Sequence, residues 1–122
     1  MIALSITACL VMMVGVGLGA FGAHALRSRI DGEKLKTYQT GTQYHLIHGL
    51  AIFVAGMVAG QSALPSLAAA AGWLFLAGVV LFSGSLYGLA TGRIGGRLGV
   101  LTPLGGLCFI VGWGLLATSL MA

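Results

Sequence analysis

The sequence predicts an all-α integral membrane protein, a bundle of four membrane-spanning helices that forms a single domain over residues 1–122. Residues of the AVILMFWYC set make up 58% of the chain, with 21 glycines besides, and the mean hydropathy is +1.05. Charged residues make up only 7%, whereas a soluble domain carries about 25%. This composition excludes a water-soluble fold, and it excludes intrinsic disorder because a disordered chain has low hydrophobicity.

The placement of the charges divides the chain into spans. Six of the charged residues lie between residues 27 and 36, and the others are Arg93 and Arg97. A membrane-spanning helix needs about 20 apolar residues. The first and last uncharged blocks are long enough for one span each, and the middle block holds two, separated by a turn at 61–66. We therefore place the spans near residues 2–24, 42–61, 66–91 and 98–121.

The first span carries Gly15, Gly19 and Gly22 on one helical face. Glycines at this spacing let helix backbones approach closely, and close packing drives helix association in lipid. We interpret the stripe as a packing surface within the bundle, with a homo-oligomer interface as the alternative. No Lys or Arg precedes residue 27, so the positive n-region of a secretory signal is missing, and we expect the first span to be retained.

The segment at 26–41 is the only long polar stretch between the spans. Asp31 is placed to cap a helix that begins at Gly32. That helix is either a short interfacial one or an early extension of the second span that bends at Gly41.

The second and third spans contain the four-spaced glycine pairs Gly56/Gly60 and Gly84/Gly88, which we also interpret as helix contacts. In the fourth span, Pro103 occupies the first turn, where its missing N–H is tolerated.

Four spans place both charged segments on one side of the membrane. All six Lys and Arg lie there, and an excess of these residues marks the cytoplasmic side. We therefore expect cytoplasmic loops, outward-facing termini and a location in the bacterial plasma membrane. The net charge of +4 suits anionic lipid and indicates no nucleic-acid partner, because basic runs with interleaved aromatic residues are missing.

Polar residues inside membrane spans are costly and mark candidate functional sites. Here they collect near the predicted cytoplasmic end of the spans, which predicts a common ligand-binding cluster. Ser83 and Tyr87 share a helical face, and Ser85 points elsewhere. The candidate residues are His24, Tyr44, His45, His48, Ser83, Ser85, Tyr87 and Thr102.

The three histidines allow three interpretations besides ligand binding, one of which is a proton relay, since histidine titrates near neutral pH. His45 and His48 are three residues apart, so they share a helical face and, with His24, would form a three-histidine metal site. The third interpretation is hydrogen bonding between helices. No cofactor is identified by these residues alone. Cys9 and Cys108 lack metal or redox spacing and are interpreted as packing residues.

We expect no catalytic residues. A serine nucleophile needs a base and a group that orients the base, yet both carboxylates of the chain lie outside the spans and no GxSxG elbow is present.

Five ordered motifs resemble a family of small bacterial inner-membrane proteins, the domain-of-unknown-function 423 family, which is related to transmembrane protein 256-like proteins of eukaryotes. Nearly the whole chain takes part, and Gly49 replaces an expected alanine. The resemblance implies four spans and a bacterial plasma-membrane location, and it implies no activity. The motifs are residues 19–26 (GAFGAHAL), 44–48 (YHLIH), 82–87 (FSGSLY), 101–106 (LTPLGG) and 112–113 (GW).

The sequence thus predicts a non-enzymatic membrane binding or accessory protein, with the lipid bilayer as its surroundings and a small ligand or protein as an unidentified partner. A small oligomeric transporter or channel, and a metal- or haem-binding membrane protein, are the alternatives. A pore would require an oligomer, because four short helices make a thin wall and no charged ring marks a path. A further interpretation is that the protein is a scaffold for a larger complex, in which the polar cluster serves only to hold the helices together.

Overall fold

The computed structural model describes residues 2–122, and within that range the regular structure is entirely helical. Four helices are long and apolar enough to cross a membrane, which confirms the predicted fold class. Their bounds are α1, Ile2–Leu26; α2, Gly32–Ala59; α3, Pro65–Ala90; and α4, Gly96–Leu120.

Three stretches within these helices depart from α-helical geometry. The last turn of α1, Gly22–Leu26, is π-helical, and so is Val79–Ser83 in the middle of α3. Helix α4 opens with the 3-10 turn Gly96–Val100. Single π-helical turns inside α-helices are frequent at functional sites.

Helix α2 begins about ten residues before the predicted second span. Asp31 caps it as expected, because its side chain accepts a hydrogen bond of 2.8 Å from the Lys34 N–H. The helix then runs without interruption to Ala59. The polar segment is therefore an extension of the second span rather than a separate interfacial helix. Gly41 is no bend; it is buried where Tyr87 and Leu86 of α3 pack against its backbone.

The turn predicted at 61–66 joins α2 to α3, with Pro65 at the first position of α3. Its conformation is held by Ser62, whose hydroxyl accepts from the Leu64 N–H at 2.9 Å and donates to the Ser119 carbonyl at 2.7 Å. The α3–α4 connection turns at Gly92, whose φ of +72° favours glycine.

The helices pack in chain order, with α2 and α3 at the centre and α1 and α4 on the outside. Within residues 2–122, the backbones of α1 and α4 do not approach each other. The main core lies around α2 and α3, where side chains such as Ile52, Ala55 and Phe75 are fully buried.

The predicted glycine stripe of α1 packs against α2 inside the chain. The Tyr38 ring covers Gly22, the Thr42 methyl covers Gly19, and Leu46 and His45 cover Gly15. The first span's glycines therefore serve contact within the bundle, as their spacing predicted.

The α3–α4 seam is built from three pairs, each a phenylalanine ring against a glycine of the other helix. The pairs are Phe75 with Gly112, Gly78 with Phe109, and Phe82 with Gly105. Rings and glycines alternate between the two helices, so each ring occupies the space a side chain would need.

The glycine pair of α3 behaves differently from the prediction. Gly88 packs against Ile94 of the following loop, and Gly84 has open space where a Cβ would lie. Gly84/Gly88 is therefore not a helix-contact pair within residues 2–122, because this side of α3 faces away from the other helices.

Candidate functional site

His45 joins α2 to both of its neighbours. Its Nε2 lies 2.8 Å from the Val11 carbonyl of α1, and its Nδ1 lies 2.9 Å from the Tyr87 hydroxyl of α3. A carbonyl can only accept, so Nε2 donates, and in the neutral ring Nδ1 accepts from the Tyr87 O–H. Both ring nitrogens are thus engaged, and Gly15 provides the space through which the ring reaches the α1 backbone.

His48 makes the corresponding connection from α2 to α4. The Trp113 indole N–H donates to its Nε2 at 3.0 Å. Its Nδ1 lies 2.9 Å from the Tyr44 carbonyl, one turn earlier in α2, and must donate there. The two histidines therefore hold their protons on opposite nitrogens, and each ring is 4% exposed.

Aromatic rings surround His48 on several sides. Its ring stacks on Phe109, with centroids 3.6 Å apart and an interplanar angle of 9°. Two further rings lie near it, with centroid distances from His48 of 5.6 Å for Phe75 and 6.0 Å for Tyr44. These apolar contacts enclose the imidazole, so its hydrogen bonds to Trp113 and Tyr44 lie in a region shielded from water.

The two predicted serines differ in whether their hydroxyl groups form hydrogen bonds. Ser85 shares a 2.6 Å hydrogen bond with Thr102 of α4 and lies 2.9 Å from the Phe82 carbonyl. The Ser83 hydroxyl is fully buried in the π-helical turn of α3, and it has no hydrogen-bond partner within residues 2–122.

The structure brings together some of the predicted site residues and leaves others apart. His45 meets Tyr87, and Ser85 meets Thr102. Tyr44 stacks near His48, although part of its ring is exposed. His24 is exposed, and no group of three His, Cys, Asp or Glu in residues 2–122 is arranged to hold a metal ion.

The polar residues lie at different distances from the charged ends of their own helices. Because α2 starts at Gly32, His45 and His48 lie about 20 and 24 Å along the helix from its charged end. His24, Ser85, Tyr87 and Thr102 lie close to the charged ends of their helices. Because α2 begins about ten residues before the predicted second span, these distances are not differences in depth: His45 contacts Tyr87, and the common depth of the polar residues stays a prediction.

Sequence reasoning missed the partners that complete these contacts. Trp113 stood out only as part of the GW motif, and the Val11 carbonyl carries no sequence signal because it is backbone. Phe75 and Phe109 could have been found from the sequence. Each packs against a glycine of the neighbouring helix, and those glycines are visible in the sequence.

A cleft at the charged end was also missed, although several of its residues are polar. It has a volume of about 260 Å³ and lies between α1 and α2, and we call it the α1–α2 cleft. Gln39 and Gln43 are both exposed, and neither side chain has a hydrogen-bond partner in the described part of the chain. Two glutamines four residues apart on a membrane-spanning helix were the signal. Residues that line the cleft include Gly19, Ala23, Gln39, Thr42, Gln43 and Leu46.

A second cleft lies between α3 and α4 and is apolar throughout. Its lining includes Leu81, Leu104, Leu107 and Val111. It therefore offers a comparison for the α1–α2 cleft, as a cleft between two helices that has no amide side chains.

Comparison with known proteins shows similarity to membrane proteins of bacteria. Residues 18–106 match the model of the family described as "Protein of unknown function (DUF423)". UPF0382 membrane protein YwdK of Bacillus subtilis is 48% identical over 101 residues, which cover 83% of this chain and 81% of that protein.

Staphylococcal proteins show the same relationship. UPF0382 membrane protein SAB0533 of Staphylococcus aureus is 44% identical over 83% of this chain and 80% of its own length. UPF0382 membrane protein SH2409 of Staphylococcus haemolyticus is 41% identical over 93% of this chain and 91% of its own. No solved structure matches this chain.

Proposed function

The chain belongs to the DUF423 family of multi-pass membrane proteins, and we propose that it is a non-enzymatic binding protein of the bacterial plasma membrane. Its residues 1–122 act as one domain, its charged loops face the cytoplasm, and both termini face outward. The excess of Lys and Arg at one end of the helices supports this orientation.

The observation that carries the proposal is the contrast between the interior histidines and the α1–α2 cleft. Both nitrogens of His45 and both nitrogens of His48 are engaged within the chain. A ligand or metal at either ring would first have to break one of these hydrogen bonds. The two interior histidines are therefore assigned to helix packing.

The cleft, in contrast, offers hydrogen-bonding groups that the chain leaves unused. The Gln39 and Gln43 amides each present donors and an acceptor, and polar groups within a bilayer are costly unless they find partners. The glycine and alanine side of the cleft leaves room for a narrow ligand next to these amides. Ligand binding is therefore assigned to the cleft.

Filling the cleft tests this assignment. Ala23 lines it and is exposed, so Ala23→Trp occupies the space without entering the core. Native mass spectrometry of protein extracted with its own lipids is expected to show a retained mass that Ala23→Trp loses. Val111→Trp, in the apolar α3–α4 cleft, is the matched control and is expected to keep that mass.

The same measurement tests the ligand cluster predicted from the sequence, which stays a prediction. The His45→Gln/His48→Gln double variant is expected to keep the retained mass. If the double variant loses the retained mass and Ala23→Trp keeps it, the binding site lies in the interior. That result would overturn the assignment to the cleft.

A further inference from the structure

We propose that the α1–α2 cleft binds one acidic phospholipid of the charged-side leaflet, with its phosphate between Arg27 and Lys36 and its glycerol region beside Gln39 and Gln43. This inference rests on the proposed binding function of the cleft. It names the class of ligand and the residues that select it.

The depth of the two glutamines matches the glycerol region of a lipid. Helix α2 is about 42 Å long, whereas the hydrocarbon core of a bilayer is about 30 Å thick. With Ala59 at the uncharged boundary, the opposite boundary falls close to Thr40. Gln39 then lies at the boundary and Gln43 about one turn inside it, where the ester carbonyls of a phospholipid can accept their amide N–H groups.

A basic residue lies on each side of the cleft, closer to the charged end than the glutamines. Arg27 follows Ala23 by four residues, and its backbone remains in the helical region after α1 ends. Lys36 precedes Gln39 by three residues on α2. Residues three or four apart lie on the same helical face, so one cation extends each wall toward the head-group level.

The local charge balance favours an anionic over a zwitterionic head group. All six cations of the chain lie on this side, against two carboxylates. Asp31 is used as the cap of α2, and Glu33 is the other carboxylate of the chain. A phosphate with net negative charge is attracted to this surface, and each basic residue near the membrane contributes to that attraction.

The inner wall suits an acyl chain that runs down from the glycerol. Gly19 presents a small surface beside the amides, and Leu46 presents an apolar surface below them. Met12 and Val11 pack onto Gly49 deeper in the same seam, so the helices close around the lower end of the cleft. A lipid tail would therefore enter from the bilayer side and remain shallow.

Titration with lipids of two head groups tests the inference. The wild-type protein, freed of lipid in detergent, is expected to retain phosphatidylglycerol in preference to phosphatidylcholine by native mass spectrometry. Arg27→Gln and Lys36→Gln are each expected to weaken retention of phosphatidylglycerol about fivefold, without changing that of phosphatidylcholine. Arg97→Gln, a cation of the other loop, is the matched control and is expected to have no effect.

The outcomes separate this inference from the function on which it rests. If the protein retains both lipids equally and Ala23→Trp loses both, the preference for an acidic head group is overturned. The cleft then remains the binding site. An effect of Arg97→Gln as large as that of Lys36→Gln would overturn the specific placement of the phosphate. Retention unaffected by Ala23→Trp would overturn the cleft itself, and with it the proposed function.

Discussion

At the scale of single residues, the interior of this protein is organised by two imidazole rings with opposite proton positions. His45 donates from Nε2 to the α1 backbone, and His48 accepts at Nε2 from Trp113. In lipid an unmade hydrogen bond has no water to replace it. Both rings are therefore well suited to fixing how α2 is rotated relative to its neighbours.

The His48–Trp113 contact predicts a specific response to substitution. His48→Phe keeps an aromatic ring against Phe109 but leaves the indole N–H without its acceptor. We expect the free energy of unfolding in detergent to fall by about 1 kcal/mol. His48→Gln, which retains an acceptor, is expected to recover part of that loss.

Fluorescence of Trp113 provides a readout specific to the hydrogen bond. In a Trp73→Phe background, we expect His48→Phe to move the emission of Trp113 to shorter wavelength, because the indole N–H loses its polar partner. His48→Gln is expected to move it less. Identical emission in all three proteins would contradict the hydrogen bond.

At the scale of the helices, glycine placement decides how closely each pair packs. In the α3–α4 seam, the most confined position is Gly105, where a Cβ would meet the backbone nitrogen and Cα of Phe82. Backbone atoms cannot move aside as a flexible side chain can. The neighbouring Gly106 has only the Phe82 ring, 4.0 Å from its Cβ position.

This difference predicts opposite effects of the same substitution at adjacent positions. Gly105→Ala is expected to lower the free energy of unfolding by about 1–3 kcal/mol, because it forces α4 away from α3. Gly106→Ala is expected to be neutral or slightly stabilising, because alanine favours helix over glycine. Thermal unfolding of both variants in one detergent measures the difference, and equal midpoints would contradict the seam.

At the scale of the whole molecule, the order of packing leaves α1 and α4 as outer helices on opposite sides of a central pair. Helix α1 packs mainly against α2, and α4 packs mainly against α3. Glycines line both of these contacts. Helix α2 is also longer than a bilayer core is thick, so we expect its polar start to lie at the head groups. We expect the loops that carry Lys and Arg to set the orientation of the whole protein.

Labelling of single cysteines tests this orientation. In a Cys9→Ala/Cys108→Ala background, Ala63→Cys lies between α2 and α3, and Ser28→Cys lies between α1 and α2. A membrane-impermeant maleimide added to intact bacterial spheroplasts is expected to label Ala63→Cys only. Ser28→Cys is expected to react after permeabilisation, and the reverse pattern would invert the topology.

The candidate site was only partly predictable from the sequence. His45 and Tyr87 were both identified, yet their pairing depends on how α2 and α3 are rotated, and rotation follows from packing. His24 shared the same predicted depth but faces away from the other helices. Gln39 was overlooked because it lay in the 26–41 segment, whose continuity with α2 the sequence left undecided, and Gln43, at the start of the predicted second span, was not considered as a candidate.

The sequence by itself determined that the chain crosses the membrane four times, where the spans lie to within a few residues except at the start of α2, and which face of α1 packs. These properties depend on hydrophobicity and local spacing, which composition and order express directly. Only the tertiary structure decided which ring meets which backbone carbonyl, how Phe and Gly alternate along the α3–α4 seam, and where a cleft remains. Such properties arise between helices distant in sequence, because they depend on rotation and register that no single segment encodes.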